Sequence, residues 1–347
     1  MSKSKVLFRV DGGPKLGMGH IMRCLRLAQE IQKKQLCEIT FATQTPEHLQ
    51  PHLKNYIPSA DLMSFGHDDF SSILDFYSQL NPHVIISDLN LREKIDDYMK
   101  SVGRYPLHVN IHEMHFNHFN FGLIIFASIL PVRKKCACES KAEYLKGSKY
   151  VLVDSRLHSL IPPQFSADKP VRILISPGGA DPEMITEKIL SILKQCKIGK
   201  ESFEINLVIG SANPRKDEIK TLADSIPDVS LFESPKDLFD LIEQSEIVIT
   251  NGGTTVYESL AAGRLTWAIS QNEFEDEVGK LLLHKNTILG HGMESLKTNL
   301  LDNLFINRTL PPQAMEIAES GRKFIDGKGT IRIANRIIKA LNSITLK

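Results

Sequence analysis

The feature that most limits what this chain can fold into is a regular alternation, from end to end, of short β-branched and aliphatic runs with amphipathic stretches. That pattern belongs to βα units on a parallel sheet. In the first half the predicted strands are Val6–Val10, Glu38–Ala42, Val84–Ser87, Leu107–Ile111 and Leu123–Phe126. A second series, Val171–Ile175, Glu204–Ile209, Val229–Phe232, Ile247–Thr250 and Thr266–Ile269, follows the turn-rich segment Leu160–Pro170 with its Pro162-Pro163 pair. At 347 residues the chain exceeds one ordinary hydrophobic core. The expected fold is therefore α/β, two Rossmann-like domains over residues 1–160 and 168–347, with the active site in the cleft between them. Ile331, Ala334, Ile337, Ile338 and Leu341 recur at helical spacing and predict a final amphipathic helix.

Charge and cysteine content exclude several classes. Lys plus Arg number 42 against 41 for Asp plus Glu, so the electrostatic footprint of a nucleic-acid binder is missing. The five cysteines, Cys24, Cys37, Cys136, Cys138 and Cys196, are odd in number and scattered, which argues against a disulfide framework and for a reducing compartment. The longest apolar stretch, Phe121–Leu130, falls far short of the roughly 20 residues that span a bilayer. No signal segment precedes Val6, so a cytoplasmic protein without membrane insertion is expected.

Each series opens with a strand that runs into a glycine-bearing acidic loop. The first reads Asp11-Gly12-Gly13-Pro14-Lys15-Leu16-Gly17-Met18-Gly19-His20, followed by a helix with Cys24, Leu25, Ala28 and Ile31 on one face and Arg23, Arg26, Gln29 and Glu30 on the other. Gly17 and Gly19 allow a tight turn, and the free amides of the helix start favour negative charge. The helix dipole disfavours an imidazolium at His20, which makes that residue a usable general base. Its bland alternative is a polar residue bonding its own helix start.

The second series opens with Gly178-Gly179-Ala180-Asp181. Further on, an apolar strand enters Asn251-Gly252-Gly253-Thr254-Thr255, whose amides and hydroxyls can cradle a diphosphate at the next helix start. Glu258, one turn later, can accept both hydroxyls of a ribose, or serve only as an acid near the helix N-terminus. His108, His112, His115 and His118 invite a metal reading, but Glu113 is followed by His115 without zincin spacing, and a solvated or sugar-contacting loop is the expectation. Neither a metal nor a cofactor is expected. Trp267 is expected in the core.

These segments resemble the GT-B superfamily and, within it, the UDP-sugar hydrolases of pseudaminic acid biosynthesis and their spore-coat polysaccharide relatives. Arg9, Asp11, Gly17, Gly19, His20 and Arg23 resemble the opening motif of that family; Gly178-Gly179, Asn251 to Glu258 and Gln271-Asn272-Glu273 resemble its second-domain loops. The resemblance implies a metal-independent hydrolase of a UDP-linked deoxy-amino sugar, such as UDP-2,4-diacetamido-2,4,6-trideoxy-β-L-altropyranose. In it His20 activates water, Asp11, Gly17, Gly19 and Arg23 bind substrate, Asn272 lies near the reacting sugar, and the second domain holds UDP through Gly178, Gly179, Asn251 to Thr255 and Glu258. It also implies that the last helix crosses back onto the first domain. Two departures stand out: Asp88-Leu89-Asn90 where the family has Asp-x-Tyr, and His112-Glu113 where it has paired aspartates. They leave open a GT-B glycosyltransferase of surface polysaccharide or flagellin, and a nucleotide-sugar binding protein without turnover. A monomer is expected.

Overall fold

The computed structural model describes residues 3–13, 16–66, 70–89, 105–112, 122–131, 142–165, 169–195, 203–301 and 313–345. Asn90, Glu113, His115, His118, Cys136, Cys138 and Cys196 lie outside these. The chain forms two compact units, Met1–Leu152 with Lys328–Lys347, and Val153–Gly327.

The first unit is built on seven parallel strands, β1 (Ser4–Val10), β2 (Cys37–Thr43), β3 (Asp61–Ser64), β4 (Val84–Asp88), β5 (Leu107–His112), β6 (Leu123–Phe126) and β7 (Glu143–Leu145), in the order β3-β2-β1-β4-β5-β6-β7. Its described helices are α1 (Gly19–Lys34), α2 (Pro46–Tyr56), α3 (Phe70–Leu80) and the C-terminal helix Gly329–Thr345. Period-2 alternation divides β1 between two cores. Val6, Phe8 and Val10 meet Ile21, Leu25 and Ile31 of α1, together with Ile333, Ile337 and Leu341 of the last helix, whereas Leu7 joins Ile73 and Tyr77 under α3.

Helix α1 corrects one expectation. Arg23, Arg26 and Glu30 form no solvated face; they are 4%, 7% and 5% exposed. The sheet covers one side of α1 and the last helix packs along it, so little of its circumference is left to water.

The second unit holds β8 (Val171–Ser176), β9 (Phe203–Ile209), β10 (Val229–Glu233), β11 (Ile247–Thr250), β12 (Leu265–Ala268) and β13 (Gly290–His291), all parallel, in the order β10-β9-β8-β11-β12-β13. The longer described helices are α4 (Ile185–Gln195), α5 (Lys216–Asp224), α6 (Phe239–Gln244), α7 (Thr254–Ala261), α8 (Glu273–His284) and α9 (Ala314–Phe324); the C-terminal helix Gly329–Thr345 is α10. Trp267 is buried, donates from Nε1 to the Gly292 carbonyl at 2.9 Å, and lies flat enough on β13 that a Cβ at Gly290 would fall 2.3 Å from its ring. Both units are doubly wound parallel sheets, as the alternation of strand and helix predicts.

Each sheet has one place where strand order reverses, between β1 and β4 in the first and between β8 and β11 in the second. Doubly wound sheets bind ligands just beyond the carboxyl ends of such strands, because the connections there diverge to opposite faces and leave a crevice. The loops after β1 and β4, and after β8 and β11, are thus where function is to be sought.

Candidate active site

In the first unit Asp11 follows β1 directly. Thr43 Oγ1 and the Gln44 amide donate to its Oδ1 at 3.0 and 2.7 Å, and Arg9 Nη1 lies 2.6 Å from the same oxygen. The carboxylate is 10% exposed, and Oδ2 has no partner among the described residues. The loop that follows is pinched at its base: Gly13 and Gly17 exchange backbone hydrogen bonds at 3.2 and 2.7 Å. Both have positive φ, +128° and +79°, a region that L side chains seldom enter. A Cβ at Gly13 would also strike the His48 ring. This pinch returns the chain to start α1 at Gly19, whose first amides point away from the helix without intrahelical partners.

His20, on that first turn, does not bond its own backbone. Its Nδ1 lies 2.7 Å from Asp88 Oδ1, at the carboxyl end of β4. Arg23, one turn on, donates from Nε to Asp88 Oδ2 at 2.5 Å and from Nη2 to Oδ1 at 2.7 Å, a two-pronged pair. The Cys24 thiol faces the same Oδ2 at 3.7 Å. Burial by itself would raise the Asp88 carboxyl, but the Arg23 charge, His20 and their hydrogen bonds outweigh it and hold the group well below the usual carboxylate range. An ionised carboxylate only accepts, so Nδ1 of His20 carries the proton and Nε2 is the basic nitrogen. Arg23 Nη2, 3.0 Å from Nδ1, is then a neighbour and not a donor to it.

Arg23 therefore serves the carboxylate, where the sequence reading placed it on substrate. Asp88 is the residue that reading missed: it stands 68 positions from His20, and only the β1/β4 adjacency brings them together.

His108 departs from both alternatives considered for the histidine cluster. It is buried on β5, bonded through Nε2 to Ser87 Oγ at 3.0 Å, and burial pushes its imidazole down to about 3. Among the described residues no group of three His, Cys, Asp or Glu side chains is arranged to hold a metal.

In the second unit three loops meet at the β8/β11 reversal and beside it. Gly178, with φ +109°, follows β8, and a Cβ there would press on the Asn251 side chain at 3.1 Å. Gly179 packs so closely on the loop after β9 that a Cβ at Gly210 would lie 2.3 Å from its carbonyl. Asp181 turns inward, accepting from the Ile185 and Thr186 amides at 2.8 and 2.9 Å, and so starts α4. After β11, Asn251 Nδ2 donates to Glu275 Oε1 at 2.8 Å, and Gly252 passes so near Glu275 that a Cβ would lie 2.7 Å from its carbonyl oxygen.

Gly253 then caps α7 with no side-chain bond to the helix amides, so the amides from Thr254 onward are open to a ligand. Glu258 is buried, 3% exposed. Asn272 caps α8, accepting the Glu275 amide on Oδ1 at 3.0 Å; its Nδ2 has no partner among the described residues. Gln271 donates from Nε2 to the Pro177 carbonyl and from its amide to Glu275 Oε2 at 2.9 Å. Glu275 thus ties two loops together, a role signalled in sequence by the Asn-x-x-Glu spacing of a helix cap.

Two doubly wound units, each with an anion-ready helix start at its strand-order reversal, define the GT-B fold class, and this chain has a glycosyltransferase- and epimerase-like fold of that class. The solved structures bear this out: MurG of Acinetobacter baumannii gives a TM-score of 0.63 at 14% identity, covering 97% of this chain and 99% of that one. The S. aureus MnaA–UDP complex gives 0.66 at 10% identity over 99% and 98%. The UDP-GlcNAc 2-epimerase of Neisseria meningitidis bound to UDP-GlcNAc gives 0.61 at 14% over 97% and 100%. No family model matches the sequence. By sequence the chain is similar to the spore coat polysaccharide biosynthesis protein SpsG of Bacillus subtilis strain 168, 23% identical over 93% of this chain and 94% of that protein. It is also 27% identical to an uncharacterised protein of Methanocaldococcus jannaschii over 79% of this chain, but spans only 57% of that longer protein.

Proposed function

We propose that the protein cleaves a UDP-linked deoxy-amino sugar at its anomeric carbon, releasing UDP and the free sugar for nonulosonic acid biosynthesis of the pseudaminic acid kind. The observation that carries this reading is the His20–Asp88–Arg23 arrangement. Asp88 fixes the tautomer of His20 and steadies the imidazolium that forms as Nε2 takes a proton from water. The bond from the anomeric carbon to the diphosphate breaks, its electron pair leaves with UDP, and the water oxygen takes its place. Charge building on the departing diphosphate is met by the open amides of α7 with Thr254 and Thr255, Glu258 accepts from the ribose, and Asn272 Nδ2 donates to the sugar. The binding of UDP, UDP-GlcNAc and UDP-glucose recorded for solved structures of this fold supports the choice of nucleotide.

A second reading, transfer of the sugar to an acceptor hydroxyl, is favoured by the similarity to a spore coat polysaccharide biosynthesis protein over nearly the whole chain. His20 would then deprotonate the acceptor in place of water. UDP release from a panel of UDP-amino sugars, measured with and without added acceptors, separates the two. Release without acceptor, lowered about 10²- to 10⁴-fold by His20→Asn with UDP affinity intact, is the expected outcome. Acceptor-dependent release that still needs His20 selects transfer, and no release at all removes both.

A further inference from the structure

His291 has no place in the reading above, yet it stands beside the loop that carries Asn272. It lies on β13, the short edge strand paired with the end of β12, and its Nε2 is 2.8 Å from Ser270 Oγ. Its ring lies over α8 at Gly279, where a Cβ would fall 2.3 Å from Cδ2, so any other residue there would push the ring out of place. Asp276 Oδ1 approaches the same Nε2 at 3.7 Å and is itself held by Lys280 at 2.5 Å. A Ser-His-Asp set suggests nucleophile activation, but that requires the carboxylate on the opposite ring nitrogen. With both oxygens at Nε2, the ring is placed to fix Ser270 and not to activate it.

Ser270 begins the segment Ser270-Gln271-Asn272. The other hydrogen bonds of that segment run toward β8 or into α8: Gln271 to Pro177 and to Glu275, Asn272 to the Glu275 and Asp276 amides. The His291 link alone anchors it on the β13 side among the described residues. We infer that His291 is a positioning residue which, through Ser270, sets the loop so that the free Nδ2 of Asn272 meets the sugar of a bound nucleoside diphosphate sugar. This rests on the nucleotide-sugar reading of the site, and it adds that discrimination between nucleotide and nucleotide sugar depends on a residue that touches neither.

The test is a double-mutant cycle in the full chain, Ser270→Ala and His291→Ala singly and together, with His291→Gln as the conservative variant, because a glutamine amide can replace Nε2 as donor or acceptor. Two measurements are made. Calorimetric titration with UDP-N-acetylglucosamine and with UDP should show the alanine variants weakened about fivefold to tenfold for the sugar nucleotide but within about twofold for UDP. The double variant should be no worse than either single, and His291→Gln should be near wild type. Amide hydrogen exchange over residues 269–275 should show protection falling by a similar factor in each alanine variant and returning with glutamine.

Equal weakening of both ligands, additive single effects, or unchanged exchange in His291→Ala overturns the inference. If His291→Ala does not fold, Ser270→Ala and His291→Gln decide it. Failure of wild type to bind either ligand overturns the nucleotide-sugar reading instead, and the exchange measurement still decides whether His291 holds the loop.

Discussion

Asp88 is the charge around which His20 and Arg23 are arranged, and its surroundings make its protonation state a matter of position. It is fully buried, which alone would favour the neutral acid, yet two Arg23 nitrogens and His20 hold it ionised. Asp88→Asn keeps an amide oxygen that can accept from Nδ1 but removes the charge that steadies the imidazolium and the group that could only accept, and should lower turnover by about 10² or more with UDP affinity unchanged. Because Arg23 would then be buried without its carboxylate, at a cost of about 3–5 kcal/mol, turnover is to be read where circular dichroism shows the variant folded. Near-full activity would remove Asp88 from the mechanism.

His108 offers a separate test at acid pH. Its folded value of about 3 lies below the unfolded value of about 6.5. Between these limits the unfolded chain binds the extra proton, so stability rises with pH across the window and is lost as pH falls through it, by up to about 1.4 kcal/mol per unit. The Asp88 contribution, from a depressed carboxyl, is lost only below about pH 4. Urea unfolding at pH 7 and pH 4.5 should therefore show a smaller loss for His108→Gln than for wild type; equal losses would point to other groups.

At the scale of the element, the start of α7 shows how glycine shapes a site. Gly252 passes against the Glu275 backbone and Gly253 leaves the helix amides uncapped, so the same short segment is closely packed on one side and open on the other. Glu258 sits on α7 within one turn of those amides and is 3% exposed. Glu258→Ala should weaken UDP binding by about 1–3 kcal/mol, whereas Thr255→Ala should cost less because amides do most of the holding. Calorimetry showing the reverse order would move the ribose away from Glu258.

Much of this was legible in the sequence, for physical reasons that differ by element. The long strands announce themselves through β-branched runs. By contrast β3 is an edge strand with exposed residues, β7 has three residues, and β13 has two, too short for any period. That Gly17, Gly19 and His20, Asn251 to Gly253, and Asn272 fall on the loops and helix starts after β1, β11 and β12 was readable from the strands that precede them. Asp88 was not, since a carboxylate at a strand end acquires meaning only from its spatial neighbour. The polar residues of α1 misled for a similar reason: periodicity cannot foresee a second covering layer supplied by a helix three hundred residues later.

On the scale of the whole molecule, that second layer is α10. Ile333, Ala334, Ile337 and Leu341 are fully buried in the first unit's core, and Arg336 pairs with Glu143 of β7. Ile337→Ala should cost about 2–5 kcal/mol. Limited proteolysis should then cut the first unit well before Val153–Gly327, and simultaneous cleavage of both would show that the two units unfold as one.

The first unit is thus assembled from two stretches of chain separated by the whole of the second. A ribosome adds about 5–20 residues per second, so on the order of ten to forty seconds pass between the last strand of the first sheet and the helix that completes its core. During that interval the side of α1 on which α10 packs has no cover, while the intervening segment is free to fold as it emerges. The later-made unit is therefore the first that can be finished, and the half that carries His20 and Asp88 becomes complete only once α10 has been made.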